Sequence, residues 1–204
     1  IVTGQNDDLD DGTIAYTVTA TANTAGGYNG QTDLANLTNA DNDASGIIIA
    51  TSDALSDEAA NTASFTVVLT AEPTANVTVT VASDDSTEGS VTAGGTLTFT
   101  SANWDTPQPV TVTGQNDDLD DGDIAYTVTA TANTAGGYTG QTGIANLTNN
   151  DNDASGISIV TSDATSDEAA DTASFTVVLT AEPTANVTVT VASDDSTEGS
   201  VTTG

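Results

Sequence analysis

The chain has 204 residues, with 30 aspartates and glutamates and no lysine, arginine or histidine, so its formal net charge at pH 7 is −30. Without histidine, cysteine or lysine it cannot form a Ser-His-Asp or Cys-His catalytic arrangement, a disulfide, a thiolate metal site or a lysine Schiff base. With no cation to neutralise phosphate, nucleic acid binding is disfavoured. No apolar run approaches the roughly 18 residues that a membrane span needs, so we expect no direct membrane insertion.

The apolar residues argue for strands rather than for the disorder that acidic composition alone suggests. In chain order, short runs rich in Val, Ile, Thr and Phe alternate with clusters of Gly, Asp, Asn and Pro, a pattern typical of strands joined by turns. In the second run, Phe65, Val67 and Leu69 alternate with Thr66, Val68 and Thr70, which predicts one inward face. Strands are predicted at 46–50, 62–71, 76–83, 96–100, 108–115, 123–132 and 142–148.

The sequence repeats itself with an offset of 110 residues. Residues 1–94 and 111–204 are identical at 83 of 94 positions. Near-identical copies at a fixed period predict a tandem array of folded units. The fold prediction is therefore all-β, with tandem seven-stranded antiparallel β-sandwich repeats of about 110 residues. One complete unit spans 44–153, after the C-terminal part of a preceding unit (1–43) and before the N-terminal part of a following one (154–204).

The partner prediction follows from this division. Because Ile1 falls inside a predicted strand, we expect the chain to be a window from something longer, in which neighbouring repeats are the partners. Alternatively, the two partial units are complementary, and an identical chain arranged head to tail completes the broken unit by strand addition.

The acidic residues concentrate in four loops, at 56–58, 84–88, 116–123 and 151–153. With the predicted strand order, most of these loops meet at one end of the sandwich. Two carboxylates about 4 Å apart repel by roughly 4 kcal/mol at an effective dielectric constant near 20, so the loops need a neutralising ion. Oxygen ligands without nitrogen or sulfur favour Ca²⁺ over transition metals. The alternative is that the loops are solvated charge that keeps the protein soluble.

The order of the motifs resembles a known family. DND before the first strand, Glu58 shortly after it, then FTVVL, VTV, LTF and VTVTGQNDDLDDGDIAYTV resemble the Calx-beta domain and related immunoglobulin-like sandwich repeats of giant, adhesin-type bacterial surface proteins. The resemblance covers the whole unit. It implies calcium bound at one end by an early glutamate and by aspartates of later loops. The implied ligands are Glu58, Asp84, Asp117, Asp118, Asp121 and Asp153, with Asp7, Asp8, Asp11 and Asp43 in the preceding unit and Glu168 and Asp194 in the following one.

These features favour a structural function. We expect a calcium-stiffened stalk or fibre at the cell surface, either the repeat region of a large adhesin or a surface filament. An extracellular location is expected because such loops need millimolar calcium. The alternative is a calcium-dependent module that binds carbohydrate or protein. We expect no enzyme, since a carboxylate pair acting on a glycoside is the remaining catalytic option and the acidic loops recur almost unchanged.

Overall fold

The computed structural model describes residues 1–169 and 171–202, and this part of the chain is all-β apart from one short 3-10 turn at Ala25–Gly27. The thirteen strands of this part are β1 Ile14–Thr21, β2 Thr32–Asn39, β3 Ile47–Asp53, β4 Leu55–Asp57, β5 Thr62–Leu69, β6 Val77–Ser83, β7 Gly89–Ala93, β8 Thr96–Phe99, β9 Gln108–Gly114, β10 Ile124–Ala132, β11 Thr142–Asn150, β12 Ile157–Asp163 and β13 Ser174–Leu179. No helix among the described residues has the length and apolar character to cross a membrane.

The central nine strands form two sheets around one core. One sheet has the order β3-β5-β9-β7 and the other β4-β11-β10-β6-β8. Their facing residues, such as Val67 and Val112 of the first sheet and Val79 and Val128 of the second, belong to one buried cluster. The predicted alternation holds in β5, where Phe65, Val67 and Leu69 are buried. This is a sandwich-like arrangement, in which each sheet buries one face.

Each of the seven predicted strands overlaps a strand of the central sheets, and two of the nine strands in these sheets had not been predicted. These are β4, which follows a bulge between Thr51 and Asp53, and β7, which begins at Gly89. Both are short edge strands without a clear alternating pattern. β4 pairs in parallel with β11, with Thr148 opposite Leu55, so the purely antiparallel prediction was wrong at this edge.

Tyr138 is the largest fully buried side chain in the described part of the chain, and its burial was not predicted. It lies between β10 and β11. Its hydroxyl donates to the carbonyl of Ala71 at 2.6 Å and accepts from the N–H of the same residue at 3.0 Å. Tyr138 thus closes the end of the core opposite the acidic loops.

The two terminal hairpins use the same registers as strands of the central sheets. Tyr16 pairs with Leu37 as Tyr126 pairs with Leu147, and the β12–β13 pairing matches the β3–β5 pairing, including its bulge. Their apolar faces are open, however. Tyr28 is 64% exposed whereas the equivalent Tyr138 is 0% exposed, and Phe175 is 44% exposed against 1% for Phe65.

Candidate metal centre

A first acidic group joins the loop after β4 to the segment after β11. One carboxylate oxygen from each of Glu58, Asp151 and Asp153 lies within 4.8 Å of the others. Glu58 is only 5% exposed, and its Oε2 accepts a hydrogen bond from the backbone N–H of Asn152 at 3.1 Å. Asp153 Oδ2 is buried and has no hydrogen-bond donor. A buried carboxylate oxygen without a donor is costly unless a cation occupies the site.

Local turn chemistry orients the aspartates of this group. Asp151 Oδ1 accepts from the N–H of Asp153, two residues later, at 2.7 Å, and its Oδ2 accepts from the N–H of Gly122 at 2.8 Å. An aspartate that bonds the N–H two residues later forms a tight turn. The DND segment therefore folds back on itself and presents two carboxylates beside Glu58.

A second acidic group joins the loop between β6 and β7 to the loop between β9 and β10. One carboxylate oxygen from each of Glu88, Asp117 and Asp121 lies within 4.8 Å of the others. Asp117 Oδ1 accepts from the N–H of Leu119 at 2.8 Å, which is the same two-residue turn. The backbone N–H of Gln115 donates to the carbonyl of Glu88 at 3.0 Å, which fixes the two loops side by side.

Electrostatics show that each group is crowded with negative charge. Burial raises the pKa of Glu58, and the charges of Asp151, Asp117 and Asp153 raise it further, against the lowering effect of the Asn152 N–H. Since Asp117 belongs to the second group, the two groups interact.

The second group is also crowded with negative charge. Burial raises the pKa of Glu88, where the Asn149 amide acts in the opposite direction and nearby aspartates including Asp121 and Asp117 add to the rise. Burial, followed by Asp117 and Asp151, raises the pKa of Asp121. The surroundings of both groups thus make the charged form of these carboxylates less favourable than in water.

Asn149 connects the two groups and is itself buried. Its Nδ2 donates to the carbonyl of Gln115 at 2.9 Å and to Glu88 Oε2 at 3.3 Å, while its Oδ1 accepts from Ser56 Oγ at 3.2 Å. Ser56 is two residues from Glu58 and also hydrogen bonds Tyr126. The acidic loops therefore rest on a buried polar network rather than on apolar side chains.

The structure brings together four of the predicted ligands, Glu58 and Asp153 in one group and Asp117 and Asp121 in the other. Asp84 lies outside both groups. Its Oδ1 accepts from the N–H of Thr127 at 2.6 Å and its Oδ2 accepts from the hydroxyl of Thr127 at 2.9 Å, and these bonds lower its pKa. Within residues 1–169 and 171–202, the other predicted ligands also belong to neither group: Asp118, Asp7, Asp8, Asp11, Asp43, Glu168 and Asp194.

Sequence reasoning left Glu88 and Asp151 out of the ligand set. Both belong to loops that had been recognised as acidic, so their composition was a usable signal. Their selection over Asp84 depends on side-chain direction, because the Asp84 carboxylate turns toward Thr127 on β10.

Acidic clusters at one end of the central sheets could hold a metal ion. No protein-family model and no curated protein sequence matches the chain.

Proposed function

We propose that the chain is a stretch of tandem Calx-beta-like β-sandwich units that bind Ca²⁺ at one end of each unit and form a stiff extracellular stalk or fibre. The observation that carries the proposal is the pair of acidic groups at Glu58–Asp151–Asp153 and Glu88–Asp117–Asp121, in a protein with no cationic side chain.

The buried oxygen of Asp153 supports cation binding in particular. An exposed acidic cluster is stable in water, since each carboxylate is solvated. Asp153 Oδ2 has neither water access nor a donor, and it lies beside the buried Glu58. A cation at this position supplies the missing partner and lowers the repulsion among the three carboxylates.

Calcium suits the ligand set better than other ions. All candidate ligands are oxygens, which excludes a soft-metal preference, and the ligands sit on loops rather than on rigid strands. Ca²⁺ accepts six to eight oxygens in flexible geometry, whereas Mg²⁺ requires a nearly ideal octahedron. With a Kd of about 0.1 mM and about 10 mM calcium, each site adds roughly 2.7 kcal/mol to stability.

The terminal hairpins support the tandem arrangement. The open faces of β1–β2 and β12–β13 carry the residues whose counterparts form the central core, as Tyr28 and Phe175 illustrate. Beside β1–β2 lies a cavity of about 420 Å³, lined by Asp7, Asp11 and Asp43 among others. In the central unit the equivalent aspartates face Glu58 and Glu88, so we infer that a further unit segment with the same two glutamates fills this space.

The same features favour a mechanical function over recognition. The 11 differences between the repeated copies leave the NDDLDD loop and the DND segment unchanged. A recognition surface is expected to present exposed aromatic anchors or variable loop tips instead. An array of units that need millimolar calcium belongs outside the cell, which is the location we propose.

Thermal unfolding of the 204-residue chain tests the proposal. We expect the melting temperature to rise by tens of degrees between EDTA and 10 mM CaCl₂, and to rise much less in 10 mM MgCl₂. Equal melting curves in the three conditions would refute the calcium mechanism and leave an acidic spacer. A rise in CaCl₂ that MgCl₂ reproduces would indicate general charge screening instead.

A further inference from the structure

The loop between β9 and β10 has two sets of contacts that point in different directions. Asp117 and Asp121 belong to the second acidic group. The residues between them contact the segment after β13: the carbonyl of Asp118 accepts from the N–H of Glu182 at 2.6 Å, and Leu119 forms an isolated parallel bridge with Glu182. We refer to residues 118–120 as the docking segment.

Asp120, the last residue of the docking segment, contacts residues 151–156, which connect β11 to β12 and which we call the linker. Asp120 Oδ2 accepts from the N–H of Ser155 at 2.7 Å, which lowers the pKa of Asp120. From the opposite side, the hydroxyl of Thr180 donates to the carbonyl of Ala154 at 2.6 Å and its N–H donates to Gly156 at 3.0 Å. The linker is therefore hydrogen-bonded on both sides and does not act as a free tether.

The same contacts occur a second time, 110 residues earlier. The N–H of Glu72 donates to the carbonyl of Asp8 at 2.7 Å, and Leu9 forms a parallel bridge with Glu72. Ser45 N–H donates to Asp10 Oδ2 at 2.7 Å, and the hydroxyl of Thr70 donates to Ala44 at 2.6 Å.

The two sets agree although their surroundings differ. At the 118–182 contact, the docking segment belongs to the complete central sheets and Glu182 follows the lone β12–β13 hairpin. At the 8–72 contact, the docking residues precede the lone β1–β2 hairpin and Glu72 belongs to the central part of the chain. The contacts therefore follow from the local sequence and not from one particular packing environment.

We propose that residues 118–120 are an inter-unit docking element, whose partner is the segment 180–182 of the following unit of the same kind. This inference rests on the tandem arrangement proposed above. Two main-chain anchors, Ser155 within the linker and Glu182 after β13, restrict rotation about the linker. Consecutive units then keep one relative orientation even without a bound ion.

Leu119 adds an apolar contact to the polar ones. It is half-buried, as is its counterpart Leu9, although both lie on acidic loops where exposure is expected. At the first junction a cavity of about 440 Å³ separates Leu9 from residues 73–76. The apolar contact at the first junction is thus incompletely packed.

Spin labelling of the full chain tests the docking element, because the absence of cysteine allows two labels to be placed freely. We choose Thr80→Cys on β6 and Thr176→Cys on β13, both exposed, and measure the distance distribution by pulsed electron resonance in EDTA. The parent should give one narrow distribution. Glu182→Pro removes the N–H that donates to Asp118 and should broaden the distribution at least twofold.

The matched control is Glu72→Pro, which removes the same N–H at the first junction and should leave the width unchanged. Asp120→Ala, with Asp10→Ala as its control, tests the Ser155 contact without placing a proline near β13. A broad distribution in the parent, or equal widths in the parent, Glu182→Pro and Asp120→Ala, would overturn the docking element.

Calcium-dependent melting of the same proteins separates this proposal from the proposed function. A calcium-dependent rise in melting temperature with no broadening in the variants refutes docking and leaves the calcium mechanism. Broadening without a rise supports docking and refutes the calcium mechanism.

Discussion

Glu58 Oε2 accepts a hydrogen bond from the main chain of Asn152 at 3.1 Å, although the two residues are 94 positions apart in the sequence. This bond holds the buried Glu58 carboxylate beside Asp151 and Asp153, whose negative charges repel it. We propose that a cation binds between these carboxylates, and several consequences of the proposal can be measured.

Glu58→Gln should separate cation binding from fold stability. Glutamine keeps an oxygen for the Asn152 N–H but removes the buried charge, so the melting temperature in EDTA should rise. The calcium-dependent increase in the free energy of unfolding should shrink by about the contribution of one site, roughly 2.7 kcal/mol at saturating calcium. Calorimetry in EDTA and in CaCl₂ measures both quantities. Asp105→Asn, an exposed charge outside both groups, is the control, and an unchanged calcium response in Glu58→Gln would argue against the site.

Tyr138→Phe should destabilise the central sheets by about 2–6 kcal/mol. The change removes one hydroxyl that satisfies both the N–H and the carbonyl of Ala71 in a buried position, and each unsatisfied group costs about 1–3 kcal/mol. Chemical denaturation monitored by circular dichroism gives the difference. Tyr28 occupies the same repeat position but is exposed, so Tyr28→Phe should change stability by less than about 0.5 kcal/mol. Equal effects of the two substitutions would show that Tyr138 does not close the core.

Gly114→Ala should cost more than about 2 kcal/mol, because a Cβ at this position overlaps the carbonyl of Asp57 and the side chain of Asn149. The Asp57 carbonyl belongs to the backbone beside Glu58 and cannot move without shifting the acidic loops. Gly4 is the repeat equivalent, and a Cβ there meets only the side chain of Asn39, which can rotate away. Gly4→Ala should therefore be almost neutral in the same denaturation experiment; a large loss there would contradict the comparison.

The pH dependence of stability should differ in sign between metal-free and calcium-loaded protein. The pKa values of Glu58, Glu88 and Asp121 are raised in the folded state, so the folded protein binds protons more tightly than the unfolded chain. Metal-free stability should therefore rise as the pH falls from about 7 to about 5. It should fall again below about pH 4, as Asp84 and Asp120, whose pKa values are lowered, become protonated.

With calcium bound, protons compete with the ion, so stability should fall as the pH drops from 7 to 5. Melting temperatures across this range, with and without calcium, measure both slopes. Glu58→Gln controls for the general reduction in charge repulsion as the pH falls. This variant keeps the other carboxylates but lacks one whose pKa is raised, so its metal-free melting temperature should change less between pH 7 and pH 5. The interpretation fails if the metal-free melting temperature falls between pH 7 and pH 5.

Strand positions were predictable because they depend on local chemistry. Alternation in runs such as 62–69 follows from the two-residue period of a strand, and the acidic loops can be read as breaks between such runs. The short edge strands β4 and β7 escaped prediction because an edge strand needs little burial and so shows little pattern. The parallel pairing of β4 with β11 is set by the path of the chain across the sheet edge.

The sequence by itself determined the all-β class, the 110-residue period and a ligand chemistry limited to oxygen, because each follows from residue types and their spacing. Only the tertiary structure decided which carboxylates meet. Glu88 and Asp151 join the acidic groups while Asp84 bonds to Thr127, and Tyr138 rather than Tyr28 is buried. These outcomes depend on loops and strands that are distant in sequence and are brought together by the packing of two sheets, and no local pattern records that contact.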